Sequence, residues 1–149
     1  MNVHTENEIL IHAPLEKIFQ TTANLLIWPR ILPHYRWVRI LRPADDGFLV
    51  KMAARRGWLP IQWTSRFHVD GAAHELRFQH LKAFTRGMRV KWTYTPTDNG
   101  VRVRISHELE RRSMFGRWFA RRILGDLFIR PVAARTLAEF KRHLEADGA

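Results

Sequence analysis

Apolar and polar residues alternate with a period of two along most of the chain, and a helical period replaces this alternation near both ends. Strict alternation is typical of antiparallel strands that have one face in the core and one in solvent. Turn sequences such as Asp45-Asp46-Gly47 and Asp98-Asn99-Gly100 separate the alternating segments and indicate hairpins. The pattern therefore predicts seven strands, at Glu8–His12, Tyr35–Leu41, Phe48–Ala54, Ile61–Val69, Leu76–His80, Met88–Tyr94 and Val101–Leu109.

Helices are predicted after the first strand and at the end of the chain. Pro14 is suited to the start of a helix whose inner face carries Ile18 and Phe19. A second short helical stretch, Thr22–Leu32, is interrupted by Pro29 and closed by the proline that follows it. The last helix has one apolar face, formed by Ala133, Leu137, Phe140 and Leu144.

The order of these elements predicts a single α+β domain over residues 1–149. A further helix is predicted over Arg117–Arg130, and Pro131 should kink or interrupt its junction with the last helix. A curved seven-stranded antiparallel sheet with one polar face must cover its apolar face. Because one long C-terminal helix cannot fill the concave side of such a sheet, we expect an apolar cavity between them.

The composition excludes several kinds of site. The 149 residues include no cysteine, which excludes disulfides, thiolate zinc sites and iron–sulfur clusters. The eight histidines form no metal-binding motif and no glycine-rich loop could hold a nucleotide, so we expect neither a metal nor a cofactor. No apolar run approaches 18 residues and the polar start lacks a signal-peptide core, so a cytoplasmic protein is expected.

Positive charge is concentrated before the last helix. The formal net charge is +11, and Arg111–Arg135 contains seven arginines with Asp126 as its single acidic residue. Such a region suits an acidic protein, such as an acyl carrier protein, or an anionic membrane surface, and it is equally compatible with a solvated helix face. No motif for binding nucleic acid accompanies the charge, so no nucleic-acid partner is expected.

Several segments carry a resemblance to a known family: His4–Phe19, Trp28-Pro29, Pro33-His34-Tyr35, Ile40-Leu41 and, in the closing helix, Leu137–Glu145. They resemble the polyketide aromatase/cyclases, which belong to the polyketide cyclase/dehydrase branch of the START-like (SRPBCC, Bet v 1-like) superfamily. The order of elements matches over essentially the whole chain and implies the helix-grip fold. The resemblance is less specific for the reaction, because the same fold serves cyclases as well as carriers of lipids and quinones.

The resemblance implies a set of pocket residues. Trp28 matches a Trp of the family's Trp-Pro turn, Tyr35 a Tyr that begins the second strand, and Trp63-Thr64-Ser65 a Trp-x-Ser stretch on a central strand. Two residues beyond that Ser the family has an Arg expected to polarise a ketone, and this chain has Phe67. An Asn that the family carries on the closing helix has no counterpart near Arg130–Arg135.

Cyclisation of a poly-β-ketone needs a cavity, a hydrogen-bond donor that polarises a carbonyl, and a base that removes a methylene proton. We predict Tyr35 as the donor, Ser65 as a second polar contact and His107 as the base, with His80 as the next candidate. A histidine on an apolar strand face can equally be a structural core residue. The predicted ligand-binding residues, which could instead be ordinary core residues, are Trp28, Trp63, Phe67, Phe78, His80 and Trp92.

The expected function is therefore a cofactor-independent cyclase or dehydrase that binds a hydrophobic, keto-bearing chain in an internal cavity. The alternative is a carrier, without catalysis, of a lipid or isoprenoid-like molecule, and Phe67 in place of the family's Arg favours it.

Overall fold

The computed structural model describes residues 2–82, 86–110 and 127–147. The strands form one antiparallel sheet in the order β1-β7-β6-β5-β4-β3-β2, which confirms the predicted seven-stranded architecture. Their bounds are β1 Asn2–Ile11, β2 Tyr35–Ala44, β3 Gly47–Arg56, β4 Leu59–Asp70, β5 Glu75–His80, β6 Arg89–Thr97 and β7 Gly100–Glu110.

The first strand is longer than predicted, because its first half does not alternate in polarity. β1 begins at Asn2, whereas the alternation predicts a start at Glu8. Thr5 and Asn7 pair with His107 and Ile105 of β7 in this part of the strand. From His4 to Asn7 the residues on both faces of the strand are polar, so the sequence carries no period-two signal here.

Three helices lie within the described ranges: α1 Leu15–Ala23, α2 Trp28–Ile31 and α3 Arg130–Asp147. A 3-10 turn at Leu25–Ile27 precedes α2. The predicted helix Thr22–Leu32 was wrong in detail, because Pro29 lies in the first turn of α2 and does not interrupt a helix. Proline is favoured there because a first-turn N–H has no partner inside the helix. None of these helices is both long and apolar enough to cross a lipid bilayer.

The junction before α3 changes helical geometry, as Pro131 predicts. Residues 127–129 form a π-helical turn, and the regular α-helix begins at Arg130. Pro131, which has no backbone N–H to donate, is the second residue of α3 and directly follows this change of geometry. The predicted helix Arg117–Arg130 lies outside the described residues except for its last four positions.

The long helix α3 packs over the concave face of the sheet. Lys141 Nζ donates a hydrogen bond to the Leu10 carbonyl oxygen at 2.6 Å, and Glu145 Oε2 accepts one from the His12 backbone N–H at 2.9 Å. These contacts attach the C-terminal half of α3 to the end of β1. The inward-facing residues that the helical period predicts are all buried: Ala133, Leu137, Phe140 and Leu144.

Candidate functional site

A cavity of about 100 Å³ lies between the inner face of the sheet and α3. Small-molecule sites usually measure about 300–1,000 Å³, and an engineered apolar cavity of about 150 Å³ holds one benzene molecule. The cavity therefore has room for a single ring unless side chains move. Its wall includes seven of the nine residues predicted as site residues: Trp28, Tyr35, Trp63, Phe78, His80, Trp92 and His107.

The other two predicted site residues do not reach this cavity. Ser65 is fully buried beside His80, its cross-strand neighbour on β5. Phe67 is 5% exposed, and its ring packs against Phe78 with the ring centroids 4.7 Å apart. Phe78, the cross-strand partner of Phe67, lines the cavity, whereas Phe67 does not, so the position that resembles the family's Arg is a packed core position here.

Trp28 forms the centre of the aromatic wall. Its indole Nε1 donates a hydrogen bond to the Thr22 carbonyl oxygen at 3.0 Å, which satisfies its buried polar atom. The ring centroids of Tyr35, Trp92 and Phe140 lie 5.2, 5.5 and 5.6 Å from that of Trp28. Tilted and edge-on contacts at these distances are favourable for aromatic pairs. The anchored indole therefore gives this part of the wall a fixed shape.

Tyr35 presents a protonated hydroxyl to the cavity. Burial raises the pKa of its phenol, and a hydrogen bond with the Thr136 side chain only partly opposes that rise. Thr136 donates its one proton to the Val132 carbonyl oxygen at 2.7 Å, and its Oγ1 lies 2.8 Å from His34 Nε2. These contacts fix the Thr136 side chain beside the phenol. The phenol keeps its proton near neutral pH, so it can donate a hydrogen bond but cannot act as a base.

Two histidines on the wall are neutral at pH 7. Burial lowers the pKa of His80 to about 4, and burial together with the charges of His80 and His4 lowers the pKa of His107 to about 3. The His107 Nδ1 atom is buried and has no hydrogen-bond partner within the described part of the chain. An unpaired buried nitrogen costs about 1–3 kcal/mol, which a water or a ligand oxygen could recover.

Two polar residues of the site were missed by sequence reasoning. Thr136 extends into the cavity from α3, and its hydroxyl contacts the buried His34, which directly precedes β2. Thr136 follows Ala133 by three positions and precedes Phe140 by four, so the helical period could have placed it on the inner face. His34 has no such signal, because nothing in the sequence distinguishes it from the other scattered histidines.

The wall carries no full charge. Among the described residues that line the cavity there is no Asp, Glu, Lys or Arg. Within the same ranges, no group of three or more metal-ligating side chains lies close enough to hold an ion. The groups that could bind a ligand's oxygen atoms are therefore neutral donors and acceptors, arranged among aromatic rings.

Comparison with known proteins identifies the family. A family model described as "Polyketide cyclase / dehydrase and lipid transport" matches residues 2–145. A candidate polyketide cyclase from Streptomyces halstedii is 30% identical over 107 residues, which are 68% of this chain and 95% of that protein.

Solved structures share the fold over almost the whole chain. The Zhui aromatase/cyclase from Streptomyces sp. R1128 has a TM-score of 0.85 at 18% identity and covers 100% of this chain and 97% of its own. A START superfamily protein from Mycobacterium smegmatis has a TM-score of 0.73 at 9% identity, with 96% and 97% covered. At these identities the likeness establishes the helix-grip fold. Together with the family match, it leads to one conclusion: this chain belongs to the polyketide cyclase/dehydrase and lipid transport family.

Proposed function

We propose that this protein binds a hydrophobic, keto-bearing chain in the cavity under α3 and promotes its cyclisation or dehydration. The observation that carries the proposal is the placement of three neutral polar side chains on a mostly apolar wall: Tyr35, His80 and His107. Membership of the polyketide cyclase/dehydrase and lipid transport family supports the general class. Tyr35 and His107 each have a role that follows from the protonation state of the side chain.

Tyr35 is the donor in this proposal. Its phenol keeps its proton because burial raises its pKa. To polarise a ketone, the hydroxyl must exchange its contact with Thr136 for one with the ligand's carbonyl oxygen. In a low-dielectric cavity such a hydrogen bond strengthens as negative charge develops on that oxygen, which favours the transition state over the ground state.

His107 is the base. Its imidazole is neutral at pH 7, so it can accept a proton from a methylene group between two ketones. The C–H electron pair then forms the enolate, whose carbon attacks a second carbonyl and closes the ring. The alkoxide that results takes the proton back from His107, and loss of water completes a dehydration. A pKa of about 3 makes His107 a weak base, and the adjacent enolate charge would raise that pKa during the step.

The size of the cavity limits what can enter. About 100 Å³ accepts one ring, so the rest of a longer chain must extend through the mouth or displace side chains. Gln62 lines the cavity and is exposed, which places the mouth beside β4. Met52 and Met88 also line it, and their unbranched side chains can change shape at small cost.

The second candidate is a carrier of a lipid or isoprenoid-like molecule without catalysis. The uncharged wall favours it, because no guanidinium among the described lining residues could hold an enolate. Phe67, buried against Phe78, does not replace that charge. An apolar ligand would need only the aromatic surface, and Tyr35 could bind a single hydroxyl or carbonyl group of it.

An acidic acyl carrier protein remains the proposed partner for a cyclase, and an anionic membrane surface for a carrier. The region predicted for this contact, Arg111–Arg135, lies outside the described residues up to position 126. Binding that falls steeply with ionic strength would support an electrostatic contact, whereas binding insensitive to salt would contradict it.

Turnover of a synthetic poly-β-ketone by the purified protein tests the proposal. Tyr35→Phe should reduce kcat by about 100-fold or more, because it removes one donor to the developing oxyanion. Tyr94→Phe is the matched control, since Tyr94 is buried to the same degree and bonds to Thr22 at 2.6 Å without lining the cavity. Uptake of a co-purifying lipid, identified by mass spectrometry, with no turnover in the wild type would instead establish the carrier.

A further inference from the structure

The hairpin between β3 and β4 ends in an exposed aromatic residue. Trp58 is 88% exposed, and Leu59 beside it is 37% exposed. Gly57 has a φ of +61°, a left-handed conformation that glycine adopts without strain and that allows the tight turn. A large indole in water at the tip of a hairpin gains nothing from the fold of this chain, so its contacts are expected outside it.

Unpaired positive charge surrounds the tip. Arg55 and Arg56 end β3, and Arg36 lies on the neighbouring strand, in the bulge of β2; all three are exposed. The hydrogen bond from the Arg55 N–H to the His34 carbonyl oxygen, 2.8 Å, keeps the two strands together here. Residues 17–44 and 47–69 contain no Asp or Glu. In the described parts of the chain, no ion pair includes Arg36, Arg55 or Arg56.

The tip lies close to the mouth of the cavity. Ile61 and the exposed Gln62 line the cavity and follow Trp58 on the same hairpin. On the other side of the cavity, Leu127 is 49% exposed and directly precedes Phe128, which also lines the wall. Exposed apolar side chains therefore lie on both sides of the route by which a ligand would enter.

We propose that the tip Arg55–Leu59 docks on an anionic lipid bilayer, with the Trp58 indole at headgroup depth and the arginines on lipid phosphates. Indole prefers the membrane interface, and cations beside it are attracted to anionic lipid. A protein partner is less suited, because a stable interface needs about 800 Å² on each side and this tip is a narrow convex turn. The inference does not depend on cyclisation, since either candidate function needs an apolar ligand to reach the cavity.

Co-sedimentation with vesicles tests this inference. Wild-type protein should bind phosphatidylcholine vesicles that contain phosphatidylglycerol and should not bind pure phosphatidylcholine vesicles. Trp58→Ser should weaken binding at least tenfold, and Arg55→Gln and Arg56→Gln should each weaken it about fivefold at low ionic strength. Soluble glycerol phosphate should not compete, because the site requires the bilayer.

Matched controls lie at the opposite end of β3 and on the part of β2 that pairs with it, about 25 Å away along the strands. Phe48→Ser removes another exposed aromatic ring, 44% exposed, and Arg42→Gln removes another exposed arginine. Both should bind vesicles as the wild type does.

Equal losses of vesicle binding in Trp58→Ser and Phe48→Ser, or equal binding to both vesicle types, would overturn the proposal. Retention of an acidic carrier protein by this tip without vesicle binding would overturn it in favour of a protein partner. Thermal unfolding of each variant checks that it is folded.

Discussion

The indole of Trp63 lies parallel to the imidazole of His80, with the ring centroids 5.9 Å apart and an angle of 3° between the planes. The stack covers one face of the imidazole, and the cavity wall encloses the rest, so that His80 is 6% exposed. Burial of this kind disfavours the charged imidazolium and accounts for the lowered pKa of His80. Protonation of this buried imidazole at low pH should therefore destabilise the folded protein.

Stability should therefore fall as the pH drops below 6.5. Burial lowers the pKa values of His34 and His80 to about 4 and that of His107 to about 3, whereas all three are near 6.5 in the unfolded chain. Between these values the unfolded chain binds protons that the folded chain does not. The free energy of unfolding is then fully retained above pH 6.5 and lost towards pH 4, by up to about 1.4 kcal/mol per pH unit for each histidine.

Urea unfolding on both sides of pH 6.5 measures this effect. His80→Gln should make the free energy of unfolding depend less steeply on pH, because one of the buried histidines is removed. The carboxyl groups of Glu16 and Glu145, whose pKa values are lowered by hydrogen bonds, contribute in a lower range, below their usual value of 4.5. A free energy of unfolding that stays constant from pH 7 to 5 would mean that these imidazoles are solvated.

Phe67 and Phe78 allow the effect of a core residue to be distinguished from the effect of a residue that lines the cavity. Both are 5% exposed and pack on each other, but only Phe78 lines the cavity. Either substitution by alanine should cost about 3–5 kcal/mol of stability. Only Phe78→Ala should also change the affinity for a single-ring probe such as toluene, measured by NMR titration. A changed affinity in Phe67→Ala would place that side chain in the ligand site after all.

The sequence predicts most of the strands well because they have one face in the core and one face in solvent, and it misses the first half of β1, which lacks this difference. It also places His107 correctly on the inner face, since a strand's period fixes the side to which a side chain points, whereas Tyr35 was chosen through the family resemblance. It cannot predict which inner-face residues reach the cavity. Ser65 and His80 are cross-strand neighbours, yet His80 lines the cavity and Ser65 is covered. That difference depends on how deeply α3 and the neighbouring side chains pack.

The volume of the cavity is equally hidden from the sequence. Seven strands and one long helix predict a gap, but large side chains occupy most of it. Trp28, Trp92 and Phe140 contact one another at centroid distances of 5.5–6.1 Å and leave about 100 Å³. The cavity volume is the small difference between two large volumes, the space under the helix and the side chains that fill it. It can therefore be read only from the packed structure.

Ser65→Ala should leave stability unchanged or raise it by up to about 1 kcal/mol. The Ser65 hydroxyl is buried and has no hydrogen-bond partner in the described ranges, so its removal relieves an unmet desolvation cost. Ligand affinity should not change, because this side chain does not line the cavity. Urea unfolding and the toluene titration measure both quantities. A loss of more than about 1 kcal/mol would instead indicate a buried water bound to this hydroxyl.

Met88→Ala should enlarge the cavity enough to admit a two-ring ligand. Met88 is 3% exposed and lines the wall, so its truncation should cost about 2–5 kcal/mol and add its side-chain volume to the existing space. Naphthalene should then raise the free energy of unfolding of Met88→Ala by about 2.7 kcal/mol at 100 times its Kd. The wild type, with room for one ring, should gain less.

Leu76→Ala is the control for this experiment, because Leu76 is fully buried in the core and does not line the cavity. Leu76→Ala should lose a similar free energy of unfolding, and naphthalene should not restore it. If naphthalene restores stability in both variants, the ligand fills any void that a truncation makes. The cavity under α3 would then not be a specific ligand site. Recovery in neither would mean that the wall collapses when Met88 is shortened. Recovery in Met88→Ala alone would establish that the ligand's size limit is set by side chains of the wall and that a longer chain enters only as they move.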